Sequence, residues 1–380
     1  MMQRLLTHYD HLLFHEYRLS YEALGLYRIL FAGVYLLFVG VPAFSWLSEV
    51  PEFFYAPQPF NVARLFAQQV PPFGLLVALD IVVLLALLFV LFGFRTVAAS
   101  LVLTVALLIG YSMKFSTGKI GHGIMLVIVP GIMAFSGWGR AWSLDQKRGE
   151  SSSPPLPYAN AYVPFLMALV LGFAMFTAGV SKWQGGWALP EHYGSFYHFN
   201  FRYHFWDGKQ QYLAPWLAQG IPLLGWKFLD YTTLAFELLF LPAVLSKRWF
   251  QLFCLAAVGF HVATLLIFNI PYINNLLAYL LFIRWEGVVA WFKRIRGDAV
   301  LRQFLSVRSL LVGSFLFLLQ HGLFMFVFND HLVRDKLISP LSFLTLASDA
   351  TFRDIRAVIL LSLALLFAAG QGVTKSRSLD

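Results

Sequence analysis

The chain has 380 residues, 59% hydrophobic and only 12% charged, with a formal net charge of +9 and a mean hydropathy of +0.69. Soluble domains carry about twice that share of charge, so the composition excludes that class and points to an all-α, polytopic integral membrane helical bundle. In a bilayer the basic excess sets orientation and attracts anionic lipid, so it is no argument for nucleic acid as a partner.

Residues 1–20 are polar and mixed in charge and read as an interfacial N-terminal segment. No cleavable signal is expected, because the apolar run from Leu24 is long and no small-x-small site follows it. Apolar segments then lie near 24–46, 74–94, 97–114, 121–138, 161–183, 226–246, 249–269, 273–292, 309–329 and 355–372. Each approaches the roughly 20 residues a bilayer demands, which predicts about 8–10 transmembrane helices. No internal repeat stands out along the chain, which counts against carriers built from duplicated halves. The Ser- and Pro-rich run Gly149–Pro157 reads as a flexible linker. The stretch 184–225 is too long and too aromatic for a plain solvated connector, and is expected to pack at the interface or fold back over the membrane domain. This divides the chain into 1–20, a transmembrane domain over 21–292 with the outer loop 184–225, and a C-terminal extension over 293–380 with about two further helices. Placing both termini in the cytoplasm puts the larger share of Lys and Arg inside, including the cluster at 293–308.

Ionisable groups at membrane depth are costly and mark candidate sites. They are Arg28, Asp80, Glu237 and His261, with His122 and Lys182 at segment ends. Lys182 closes the fifth segment just before Trp183 and the loop opener Gly185-Gly186. It has two readings: an anchor that snorkels to the headgroups, or a base whose ammonium form is disfavoured by partial burial. His122 lies between Gly121 and Gly123 and reads equally as a helix cap or a site residue. Glu237 is expected to pair with Arg28 or with Lys182, and His261 to be a satisfied core histidine or a ligand contact. Arg28 and Asp80 read as structural, and Asn274 and Asn275 as caps of the eighth segment or as site groups. Alternating crossings bring His122, Lys182, His261 and Asn274 to one membrane face beneath the aromatic loop. His192, His198 and His204 recur every six residues, a spacing that shares one face of an extended strand but not of a helix. No metal is predicted: those histidines lack ligand spacing, and the only cysteine is Cys254.

Several pieces together resemble one family. They are Leu24-Gly25-Leu26-Tyr27-Arg28-Ile29, Gly121-His122-Gly123 with Trp142-Ser143-Leu144-Asp145 beyond it, Thr177-Ala178-Gly179-Val180-Ser181-Lys182-Trp183 with Trp187 after it, and Phe260-His261. In order and spacing they resemble the HTTM (horizontally transferred transmembrane) domain, the membrane part of vitamin K-dependent gamma-carboxylases and their bacterial relatives, over roughly residues 15–290. The resemblance implies a bacterial cytoplasmic membrane protein that takes a reduced, vitamin K-like quinone. It also implies Lys182 as general base and His122 assisting the quinone chemistry, with His261 where the family carries another membrane histidine; His261, Glu237, Asn274 and Trp183 are the candidates for binding substrate or cofactor. In that chemistry a neutral amine takes a hydroquinone proton, oxygen adds, and the resulting alkoxide deprotonates a glutamate γ-carbon that is then carboxylated. The large soluble region that grips protein substrates in those carboxylases is not seen before Asp380. A protein partner is expected to supply it, unless the substrate is small or the chain is a non-catalytic partner for assembly or export. A proton-coupled transporter is the remaining alternative.

Overall fold

The computed structural model describes residues 7, 9–118, 123–150, 157–205, 210–270 and 272–326. His122, residues 151–156 of the expected linker and the apolar segment near 355–372 lie outside them. Among the described residues the chain is helical and contains no strand. Helices of seven residues or more are α1 (Tyr21–Val34), α2 (Phe73–Phe92), α3 (Thr96–Phe115), α4 (Ile124–Met133), α5 (Ala159–Gln184), α6 (Gly194–Phe205), α7 (Leu223–Ala243), α8 (Lys247–Phe268), α9 (Ile273–Tyr279), α10 (Trp285–Arg294), α11 (Gly297–Phe304) and α12 (Val307–Phe326).

Their ends follow local chemistry. Ser20 caps α1 by accepting from the Ala23 N–H at 3.1 Å. The Asp145 carboxylate accepts from the N–H groups of Arg95 and Thr96 at 2.6 and 2.8 Å and so holds the start of α3. Gly93, at φ 64°, and Asn269, at φ 54°, take the left-handed conformation that stops α2 and α8.

Among the described residues four helices, α2, α3, α5 and α8, are long and apolar enough to cross a membrane, or up to six spans if two bent helix pairs each count as one. The eight to ten expected for the whole chain include the segment near 355–372, outside the described residues, and three of the expected segments depart from a plain apolar span. The first apolar segment leaves α-geometry at Tyr35–Val39 and ends at Gly40, so α1 has only 14 residues. The fourth is a helix of 10 residues with Pro130 inside it. The sixth, α7, is long enough but carries Lys227, Asp230 and Glu237.

The chain divides into two compact units. Among the described residues, one comprises Leu19–Val163 with 284–326, and the other 7–18 with Pro164–Ile283. In the 19–163 unit the helices pack around Tyr27, Phe31 and Trp138, all fully buried. Arg28, also fully buried, donates to the carbonyls of Trp138 at 3.3 Å and Trp142 at 2.5 Å. In the 164–283 unit Tyr17, from the polar lead-in, donates its hydroxyl to the Val244 carbonyl at 2.7 Å and packs its ring on Phe165, Phe250 and Phe282.

The two units repeat one order of elements, which corrects the expectation of no internal repeat. Each has a helix that begins after a proline (Pro72 or Pro222), a three-residue turn, and a second long helix: α2 and α3 in one, α7 and α8 in the other. In each, an aspartate eight positions beyond that proline reaches back to cap a helical turn. Asp80 accepts from the N–H groups of Phe44 and Ser45 at 2.6 and 3.1 Å, across 36 and 35 residues. Asp230 accepts from Gly194 and Ser195 at 3.1 and 2.8 Å, across the same separations. Both aspartates are fully buried. The turn that each caps, Phe44–Glu49 or α6, leads to a short helical segment ahead of the proline, Val62–Leu65 or Ala214–Ala218.

Candidate functional site

The charges of the 164–283 unit collect where α5 ends and α7 passes beside it. Lys182 donates to both carboxylate oxygens of Glu237, at 2.7 Å each. The Glu237 side chain is 4% exposed and that of Lys182 27%. Of the two partners expected for Glu237, the structure selects Lys182. The helices meet here because Gly179 has no side chain: a Cβ there would lie 3.0 Å from Glu237 Cβ and 3.1 Å from the Leu238 side chain. Gly172, two turns earlier, faces Val244 and Leu241 in the same way. Small residues spaced along one face let two membrane helices approach closely. The Ala178-Gly179-Val180 run ahead of Lys182 thus has a packing role as well as a positioning one.

Trp187 lies beside the Lys182 end of the pair. Lys182 Nζ lies 5.7 Å from the centre of its indole, within cation–π range. The following chain is held by a second lysine that the sequence reading did not single out. Lys227 donates to the carbonyls of Trp187 at 2.7 Å and His192 at 2.5 Å, and lies 3.4 Å from Asp230. Its ammonium also sits 4.8 Å from the Tyr231 ring centre and 5.7 Å from that of Tyr193. A signal for this was present, since Lys227 and Asp230 are opposite charges three residues apart on one helix face.

The loop over 184–225 does fold back, on its own unit. Phe199, Ala214, Leu217 and Trp226 form a buried cluster that joins α6 to α7. His198 and His204 lie on the helix α6, where six residues turn the chain by about 240° beyond a full revolution and, as their spacing predicts for a helix, separate the two side chains. The ring of His192 packs on Tyr197, that of His198 on Phe268 and that of His204 on Tyr203. Among the described residues, no three His, Cys, Asp or Glu side chains come together as metal ligands do.

His261, on α8, belongs to a neighbouring aromatic cluster. Its Nε2 is 3.1 Å from the Tyr279 hydroxyl, and its ring stacks on Tyr279 at 5.7 Å and tilts against Tyr272 at 4.8 Å. The Tyr279 hydroxyl reaches Met175 Sδ at 3.7 Å, on α5 two turns before Lys182. Two charges reach Tyr272 in the turn ahead of α9. Burial raises its phenol above the usual value, the Arg202 guanidinium lowers it, and Glu237 raises it further. Burial likewise lowers Arg202, with Tyr272 opposing. Asn274 is half-buried in the first turn of α9, whose N-cap position is Tyr272 and has no side-chain cap; the expected capping by Asn274 and Asn275 is therefore corrected. Trp183 is 59% exposed.

The structure thus joins Lys182 to Glu237 directly and links His261 to the same helix through Tyr279 and Met175. Arg28 and Asp80 bond backbone groups in the other unit, as a structural reading requires. Comparison with protein-family models, with curated proteins and with solved structures finds no match to this chain.

Proposed function

We propose that the protein is a membrane enzyme acting on a reduced quinone or another lipid-soluble hydroxyl compound, with Lys182 and Glu237 together as the proton-handling group. The observation that supports this reading best is the bidentate pairing of a nearly buried carboxylate with a lysine that keeps one exposed side. Passing the ammonium proton to the carboxylate leaves a neutral amine beside a neutral acid, and the net charge of the pair stays at zero. Separating either charge into an apolar medium would cost far more. The neutral amine can then accept a proton from a substrate hydroxyl, and the resulting substrate oxyanion faces an ammonium. The general-base role given to Lys182 by the family resemblance becomes a role of the pair. His261, Tyr272, Trp183 and Asn274 are the nearby groups placed to shape the rest of such a pocket, and His122 keeps only the role implied by the resemblance. Both termini are assigned to the cytoplasmic side of a bacterial cytoplasmic membrane, on the charge distribution and the resemblance alone.

One observation favours a carrier as the second reading: the repeat of element order in the two units, because many carriers are built from repeated halves. The test separates the readings. Purified protein in nanodiscs is given a reduced naphthoquinone in air, and its oxidation is followed by absorbance. The wild type is expected to exceed empty nanodiscs, and both Lys182→Ala and Lys182→Arg to lose that excess at unchanged protein level. Activity restored by arginine, which cannot give up its proton, would make Lys182 a structural cation. No excess in the wild type removes the enzyme reading, and pH-gradient-driven uptake in proteoliposomes would then support the carrier.

A further inference from the structure

Asp230 and Asp80 cap their turns with the same geometry, yet only Asp230 has a lysine one turn before it; position 77, three before Asp80, is Val77. Capping therefore does not require Lys227. The Lys227 side chain is nonetheless 6% exposed, and an ammonium is expensive to bury. Its two shortest bonds run to the carbonyls of Trp187 and His192 rather than to the aspartate. Those carbonyls bracket the segment that carries the Trp187 indole over Lys182. The indole also lies flat against Gly194, where a Cβ would collide with it, and the Gly194 N–H is one of the two that Asp230 holds. Lys227 and Asp230 thus fix both the backbone of the Trp187 segment and the floor on which its indole rests.

We propose that Lys227 is a positioning residue: by holding the Trp187 and His192 carbonyls it keeps the Trp187 indole closed over the Lys182–Glu237 pair and restricts access to the Lys182 amine. The value of this closure rests on that pair being the working site, whereas the closure itself does not. Its occurrence in only the unit that carries the ion pair is explained, because the other unit has no buried pair to cover at the corresponding place: the residue seven beyond Asp80 is Leu87, where Glu237 lies seven beyond Asp230.

The test uses the full chain in nanodiscs and reads Lys182 with a water-soluble amine-reactive reagent, quantified by peptide mass spectrometry, together with amide exchange over residues 187–194. Lys227→Met is expected to raise Lys182 labelling several-fold and to speed exchange in that segment, while exchange in α2 and α3 stays at the wild-type rate. Lys227→Arg, which still donates to two carbonyls, is expected to restore at least part of the protection. Labelling and exchange unchanged in Lys227→Met would overturn the proposal. If that variant does not fold, Trp187→Ala decides: labelling raised supports the closure, and labelling unchanged overturns it. Should Lys227→Met open the segment without altering quinol oxidation, the closure stands and the assignment of the pair as the working site fails.

Discussion

The two units build the same frame and fill it differently. In both, a helix started by proline carries an aspartate that reaches across about 35 residues to cap a turn. In the 19–163 unit that frame is otherwise apolar at the places compared: Val77 and Leu87 stand where the 164–283 unit has Lys227 and Glu237. The two frames have the proline and the aspartate in common, whereas Lys227 and Glu237 belong to one unit alone. Buried charges in a membrane helix are costly, which makes these groups candidates for a site.

The comparison can be broken by substitution, and the largest effect is expected at Asp230. Asp230→Ala removes two caps and leaves the Lys227 ammonium buried without its carboxylate, at a cost of about 3–5 kcal/mol, seen as a lowered midpoint of thermal unfolding. Asp80→Ala removes the corresponding backbone caps where Val77, not a lysine, stands one turn earlier, and is expected to cost about 1–3 kcal/mol. Equal losses at the two positions would mean that Lys227 gains nothing from Asp230. Next comes the ion pair. Glu237→Leu alone strands Lys182, so it should lower stability by about 2 kcal/mol, discounted because that lysine is partly exposed. Lys182→Leu with Glu237→Leu makes the site apolar, like the other unit, and should recover wild-type stability or better while activity stays lost. A double variant less stable than either single one would show that the pair holds the fold together. The smallest effect is expected at Gly179. Gly179→Ala brings a methyl to 3.0 Å from Glu237 Cβ, at a cost of about 1 kcal/mol, and should slow activity more than it lowers the unfolding midpoint if the pair must sit in one geometry.

Much of this was legible in the residues and some was not. Lys182 announced itself as an amine at the end of an apolar run, and Glu237 as a carboxylate within another, so their pairing was one of two options open. The choice between Arg28 and Lys182 was not legible, because it depends on Gly172 and Gly179 letting α7 lie against α5, a property of tertiary contact. The repeat escaped notice because hydrophobic residues interchange freely in both units. What persists is a proline and an aspartate eight apart, recurring 150 residues later. Apolar length alone also does not show a π-turn before Gly40, a proline in α4 or three charges in α7, which act below the resolution of a hydropathy window. The helix that carries His198 and His204 is not legible from their spacing, because the start of α6 is fixed by Asp230, which lies 36 residues further on.

Whether the proposed Lys182–Glu237 site is where a lipid-soluble substrate meets the protein is tested most directly by a photoreactive quinone. Irradiated with the protein in nanodiscs and mapped by peptide mass spectrometry, the probe is predicted to label the stretch around Lys182 to Tyr193, and to lose that label in Lys182→Ala and when unlabelled quinone is added. Labelling spread over the lipid-facing surfaces of α2, α3 and α8, with no change in the variant and no competition, would contradict it.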